Sequence, residues 1–462
     1  MFQSIQKKTI LRLRVVLLFM ATVILPFCLA GCHSGKNRES ITESGKKEST
    51  TESGEGTATS RELKLAVVCE SVDGKDKSWI EYLVYEFNKT HPDMVITLMP
   101  FGEAFSKTDI PMAQLTAQIN GDNPPDLILL RNITDNLDAL AVQGYVEDLT
   151  PYVEKSEVVH LEDYYPKVLE CGRKEGVLVC IPKNFEIDTV ITSKNYFNDT
   201  TWTYPQLLDF CNEHPNSRFY ANTRPEMLLA MLLRESIDYF ACEDQGKCHF
   251  DSEEFRSFLE YAGSYSAWGS RTFDPIDPED YASGLRDGRV LAQHFYVKNL
   301  ADMKDIRINF GNDANFVGFP NKDGRPIHRI WMDHSTFAIT STSNNKEGAF
   351  QFLEWYLTLD EDPVLTVDPL RLCANRKEME EKIEIAMAGR NINDGEPDMT
   401  EEDLKTLRIL LEGLEPMPDD NDPLYKIVFA ETKSYFAGDK TLDEVIDVIQ
   451  SRAMLYLQEK VK

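Results

Sequence analysis

The chain has 462 residues, 42% hydrophobic and 10% aromatic, enough to build two or more lobes with separate cores. Its 77 Asp and Glu outweigh 49 Lys and Arg, a formal net charge of −28. That surplus excludes nucleic acid as a partner, because phosphate is repelled, and excludes adhesion to anionic lipid through basic patches. The acidity itself reads as solubility for a secreted body.

The first element follows Lys7, Lys8, Arg12 and Arg14: an apolar run from Val15 to Ala30, closing in Leu29-Ala30-Gly31-Cys32. A positive start, a short apolar run and small residues before a cut site form a secretory signal. The run falls short of the roughly 20 apolar residues of a membrane span, so a transmembrane anchor fits it less well. With cysteine next in line, the site resembles a bacterial lipoprotein box. The resemblance implies residues 1–31 as a lipoprotein signal peptide and a diacylglycerol on the Cys32 thiol. The protein is then expected outside the cytoplasm, anchored to the outer face of the cytoplasmic membrane. Residues 32–61 are Ser, Thr, Gly, Glu and Lys with hardly an apolar side chain, a disordered polar linker.

Of nine cysteines, Cys28 leaves with the signal and Cys32 carries lipid. Cys69, Cys171, Cys180, Cys211, Cys242, Cys248 and Cys373 remain, an odd number at scattered spacing and no disulfide framework. Cys242 and Cys248 are near enough to close a small loop, so a bridge there is left open. His249 adjoins Cys248, but no second pair stands at ligand spacing. No metal and no cofactor is expected.

From Arg61 the pattern alternates. Leu63, Leu65, Ala66, Val67 and Val68 predict a buried strand. Trp79, Ile80, Leu83, Val84 and Phe87 recur at helical spacing, with Trp79 on the core side, and the helix should stop before Pro92. Val95–Leu98 predicts a second strand, Met112, Leu115, Thr116 and Ile119 a helix ended by Gly121, and Asp126–Leu130 a third strand. Such strand–helix alternation argues for a parallel sheet with covering helices. Beyond Pro182, Thr189–Thr192 and Val290–Phe295 read as strands. Segments 204–211, 227–233 and 255–265 read as helices, as do Ala349–Leu357 and the last stripe from Val445 to Tyr456. Between them, about 375 to 422 reads as a polar interval rich in Asp, Glu, Asn and Pro.

Several segments, in order, resemble the extracellular solute-binding proteins of ABC importers, in the family that includes sugar-binding lipoproteins. They are Tyr85-Glu86-Phe87-Asn88-Lys89-Thr90-His91-Pro92, Gly121-Asp122-Asn123-Pro124-Pro125-Asp126 and Gly144-Tyr145-Val146-Glu147-Asp148-Leu149-Thr150-Pro151-Tyr152. Gly176–Pro182, Lys194–Phe197 with Trp202 and Pro205, and Tyr435–Lys440 with Leu455-Tyr456 add to the series. Two departures stand out. Trp331-Met332-Asp333-His334-Ser335 replaces a Gly-rich segment of the family, and 189–330 follows the family pattern loosely.

The resemblance implies an α/β, two-lobe periplasmic-binding-protein-like fold of type II, with parallel-rich sheets and crossing segments. Residues 62–183 and 336–385 would form lobe 1, and 189–329 and 386–462 lobe 2. Crossings are expected near Asn184–Asp188, near Ile330–Thr336 and after about Arg376. It also implies a small polar solute, foremost a carbohydrate or oligosaccharide, captured between the lobes by a monomer and delivered to the membrane permease. Sugars need flat aromatic faces and planar polar groups, and α/β sheets offer ligands their strand ends. The candidates are Glu70 and Ser71, Phe101 and Glu103, Arg131 and Asn132, then Asn184, Phe185 and Glu186 at the first crossing. Arg224, Glu226, His294 and Tyr296 follow, then Trp331 and Asp333 at the second crossing, and Tyr425. His334 reads as structural. The alternatives are a lipid-anchored hydrolase or a solute sensor for a signalling partner. Gly-x-Ser-x-Gly and His-Glu-x-x-His are both absent, so no catalytic residue is assigned. The acidic run Asp419–Asp422 lacks the glycine and distant glutamate of a calcium loop.

Overall fold

The computed structural model describes residues 61–68, 74–100, 112–130, 134–220, 223–265, 278–332, 336–359, 370–389, 397–418 and 422–461. All lie in one compact unit, Ala58–Lys462. The signal, Cys32 and the linker fall outside the described residues, as does the acidic run at Asp419–Asn421. In chain order the strands are β1 (Arg61–Val68), β2 (Met94–Pro100), β3 (Leu127–Leu130), β4 (Arg173–Lys174), β5 (Val177–Leu178) and β6 (Phe185–Ser193). They continue with β7 (Ala241–Cys242), β8 (Lys247–Cys248), β9 (Ala292–Val297), β10 (Ala314–Phe316), β11 (His328–Met332), β12 (Thr336–Ile339) and β13 (Leu414–Pro416).

The first sheet runs β12-β3-β1-β2. β1 lies parallel to both β2 and β3, and β12 closes the other edge antiparallel to β3. Leu63, Leu65, Leu127, Ile128 and Leu129 are fully buried, as strands covered on both faces require. The predicted helix between β1 and β2 spans Gly74–Thr90, and its stripe Trp79, Ile80, Leu83, Val84 and Phe87 is buried while Tyr85 on the opposite face is exposed. Phe87 meets Phe352 and Trp355 edge-on at 5.2 and 5.1 Å, which seats helix Lys346–Leu357 on the same core.

The second sheet is built around β6. β9 pairs antiparallel along Ile187–Thr192 on one edge; β11 and β10 take successive halves of the other, and β13 runs parallel to β11. All nine residues of β6 are buried. The chain passes from β11 in this sheet to β12 in the first within a few residues. A further segment, Leu370–Asn375, is stitched to both neighbours of the junction. Phe185 N donates to Leu372 O (3.1 Å), Ala374 N to Lys183 O (2.9 Å) and Leu300 N to Leu370 O (2.8 Å). Lys183 Nζ donates to Tyr356 O and Leu359 O, both at 2.7 Å, satisfying carbonyls at the end of helix Lys346–Leu357.

Two expectations change, and one open question closes. The interval read as polar holds two helices, Arg376–Ala388 and Glu401–Glu412, opened by Asn375 and by a Thr400–Asp403 capping box. Their buried faces are short (Met379, Ile383 and Ala386; Leu407 and Leu410), so the surrounding charges mask the period. The strand read at Val290–Phe295 sits two residues later, at Ala292–Val297. Cys242 and Cys248 form no bridge: the β7–β8 register opposes Cys242 to Lys247 and Ala241 to Cys248. The two thiols therefore leave opposite faces of the hairpin. Cys242 is exposed, and Cys248 is buried with its thiol 3.4 Å from Gln450 Oε1.

His328 opens β11 fully buried, its Nδ1 2.8 Å from Thr189 Oγ1. Burial pushes its imidazole down to about 3 from the usual 6.5, so the folded protein holds it neutral. The unfolded chain takes up the proton near pH 6.5. The stabilisation is therefore complete above that pH and is lost progressively as pH falls toward 3. Between pH 7 and pH 5 this group should cost about 2 kcal/mol of unfolding free energy. Urea denaturation of wild type against His328→Gln checks this: the variant should show a shallower loss over that range.

Candidate functional site

In β6 the even positions Glu186 and Asp188 share one face, because side chains alternate along a strand. Register then fixes their neighbours: Trp331 stands opposite Glu186, and Asp188 lies between Arg329 on β11 and Tyr296 on β9. His294, opposite Val190, brings Nε2 to 2.5 Å from Asp188 Oδ1. Phe185, Ile187 and Ile191 take the opposite face and join the apolar core. At Glu186 and Asp188 the strand thus separates a greasy side from a charged one, while Val190 further along the charged side joins a second apolar core.

The charged side is largely sealed. Asp188 is 3% exposed, Glu186 7% and Glu235, from helix Pro225–Phe240, 7%. Arg329 Nε donates to Glu235 Oε2 (2.7 Å), Nη2 reaches the same oxygen, and Nη1 donates to Pro416 O (2.7 Å). Burial raises the carboxyl pKa values of Asp188 and Glu235, opposed by His294 and by Arg329 respectively. Lys298 Nζ lies 3.8 Å from Glu186 Oε2 and over the Tyr296 ring at 5.9 Å.

Aromatic rings wall the same face. Tyr296 meets Trp331 at 83° with centroids 6.1 Å apart, and His294 meets Tyr296 at 87° and 4.7 Å. Trp331 is 37% exposed, so this corner opens to solvent at its indole. Tyr220 stands 6.5 Å from His294, buried, and its hydroxyl has no hydrogen-bond partner among the described residues. Arg234 lies over the Tyr425 ring at 5.8 Å, linking helix Pro423–Phe436 to the cluster.

Four of the sequence candidates therefore converge: Glu186, His294, Tyr296 and Trp331. Asn184 is two residues before Glu186, bridged to Cys373, with a buried Oδ1 that has no hydrogen-bond partner among the described residues. Tyr425 joins through Arg234. Phe185 turns away, 1% exposed, into the core. Arg224 and Glu226 sit at the start of helix Pro225–Phe240, about 13 Å along its axis from Arg234 and Glu235, which carry the contacts to this face. Glu70, Ser71, Phe101, Glu103, Arg131, Asn132, Asp333 and His334 lie outside the described residues. Sequence reasoning missed Asp188, Arg329, Glu235, Arg234 and Tyr220. The signal for Asp188 was available: Glu186-x-Asp188 at strand spacing places two carboxylates on one side. Nothing local in the sequence marks Arg329 and Glu235 as partners 94 positions apart.

Residues 83–362 match the family model described as bacterial extracellular solute-binding protein. The match spans more than half of the chain, which belongs to that family: a family of binding proteins that work outside the cytoplasm. No curated protein matches the sequence. Solved structures share the fold. A family 1 solute-binding protein from Alicyclobacillus acidocaldarius is 16% identical, with 86% of this chain and 98% of that one covered and a TM-score of 0.53. The sugar-binding protein MalE of Xanthomonas citri is 14% identical over 86% and 98%, TM-score 0.52. A periplasmic oligogalacturonide-binding protein of Yersinia enterocolitica is 15% identical over 87% and 100%, TM-score 0.54. At such identities the likeness is one of fold: two α/β lobes.

Removing Arg329 strands Glu235 in a dry site. Arg329→Ala should cost about 3–5 kcal/mol, whereas Arg329→Met with Glu235→Leu should recover most of that loss. Chemical denaturation of the single and double variants measures both.

Proposed function

We propose that this protein is the substrate-binding component of an ABC importer, capturing a carbohydrate between its lobes and handing it to the membrane permease. One observation carries the reading. The right-angled Trp331–Tyr296 corner stands beside Glu186 and Asp188 on the strands that join the two sheets. Indole and phenol faces cover the C–H face of a sugar ring, and carboxylates accept from its hydroxyls. Contacts at the junction suit a hinge, since a solute held there favours closure by its differential affinity for the closed state. In this reading 62–183 with 336–385 move against 189–329 with 386–462, as a monomer. In the same reading Glu70, Arg131, Asn132 and Asp333 complete the ligand shell, and Arg224 and Glu226, which start helix Pro225–Phe240 away from the cluster, meet only a longer chain of sugar units. Cys32 carries the lipid that holds the protein at the membrane.

A thermal-shift screen of the purified protein against sugars and other nutrients tests the reading. A bound saccharide should raise the melting temperature with concentration and be recovered unchanged. Trp331→Ala should weaken that saccharide by about 10- to 100-fold while leaving the ligand-free melting temperature near that of wild type. Recovery of a cleaved product would instead indicate a hydrolase. Cys32→Ala should move the protein from the membrane fraction to the soluble fraction, and retention at the membrane would contradict the lipid anchor.

A further inference from the structure

We infer that the solute presents hydrogen-bond donors to Glu186 and Asp188, and that this carboxylate pair rejects anionic sugars such as uronic-acid oligosaccharides. The inference rests on the carbohydrate reading above and adds charge selection to it.

Glu186 and Asp188 stand two residues apart on one strand face, about 7 Å by strand geometry, with Glu235 in the same cluster. The described cations at this face are already engaged. His294 meets Asp188, Lys298 approaches Glu186, Arg329 holds Glu235 and Pro416 O, and Arg234 lies over Tyr425. A ligand carboxylate would have to draw His294, Arg329 or Lys298 away from a carboxylate that each already faces.

Two buried polar atoms without a hydrogen-bond partner among the described residues bear on the same point. Asn184 Oδ1 accepts only, and the Tyr220 hydroxyl accepts as readily as it donates. Asn184 Oδ1 therefore calls for a donor, which a sugar hydroxyl supplies and a carboxylate lacks, whereas the Tyr220 hydroxyl serves either. Burial strengthens the penalty, because like charges interact more strongly away from water. The net charge of −28 also slows the approach of anions at low salt.

The test titrates the full chain, purified in detergent, with neutral di- to tetrasaccharides and with oligogalacturonates of the same lengths. Tryptophan fluorescence and melting temperature report binding. The best neutral sugar should bind at least about 100-fold tighter than any uronate of its length, since opposed like charges cost several kcal/mol. Glu186→Gln should narrow that gap by improving uronate binding, and Asp188→Asn added to it should narrow it further. Because Asp188 also holds His294, the single Glu186→Gln change keeps the test valid if the double variant fails to fold. A uronate that binds as tightly as every neutral sugar overturns charge selection and leaves the carbohydrate reading standing. Silence from both panels, with a shift from an amino acid, peptide or polyamine, overturns the carbohydrate reading and this inference with it.

Discussion

An extended strand sends neighbouring side chains to opposite sides, and nine consecutive buried residues in β6 turn that geometry into the division the molecule rests on. Phe185, Ile187 and Ile191 bind the second sheet to the core through the odd positions. Glu186 and Asp188 face the other way, where β9 and β11 deliver an imidazole, a guanidinium, a phenol and an indole. A register slip of one residue would exchange the two sets, burying both acids in the core and exposing its apolar side chains. Register is therefore a condition for the fold and for the site at once.

Charges held this way must be satisfied where they stand. Asp188 and Glu235 are nearly sealed from water, and their partners His294 and Arg329 are supplied by β9 and β11, the two strands that flank β6. The Arg329 guanidinium binds both a carboxylate and the Pro416 carbonyl, tying helix Pro225–Phe240 and β13 to the strand between them. Such pairs are dear to break and contribute less to net stability than to fixing one arrangement of side chains. Pre-set geometry of that kind lowers the ordering cost of taking up a ligand.

The junction between the sheets is tied by several independent strands of chain. β6 leads in, β11 and β12 lead back, and Leu370–Asn375 bonds to Lys183, Phe185, Lys298 and Leu300 alongside them. The cluster of Glu186, Asp188, Tyr296 and Trp331 sits on this junction. The chain belongs to the solute-binding family and shares its two-lobe fold.

Local pattern was enough for much of this. The strand–helix alternation from Leu63 to Leu130, the buried stripe around Trp79 and the closing helices follow from apolar spacing, which depends only on near neighbours along the chain. Trp331 and Glu186 were also legible, as polar or aromatic residues at expected crossings. Folding decided the rest, for physical reasons. Arg329 finds Glu235, and Asp188 finds His294, only once distant strands share a register, and no local spacing encodes that register. The helices at Arg376–Ala388 and Glu401–Glu412 were hidden because their core-facing stripes are narrow, and packing supplies the stability their own pattern does not advertise.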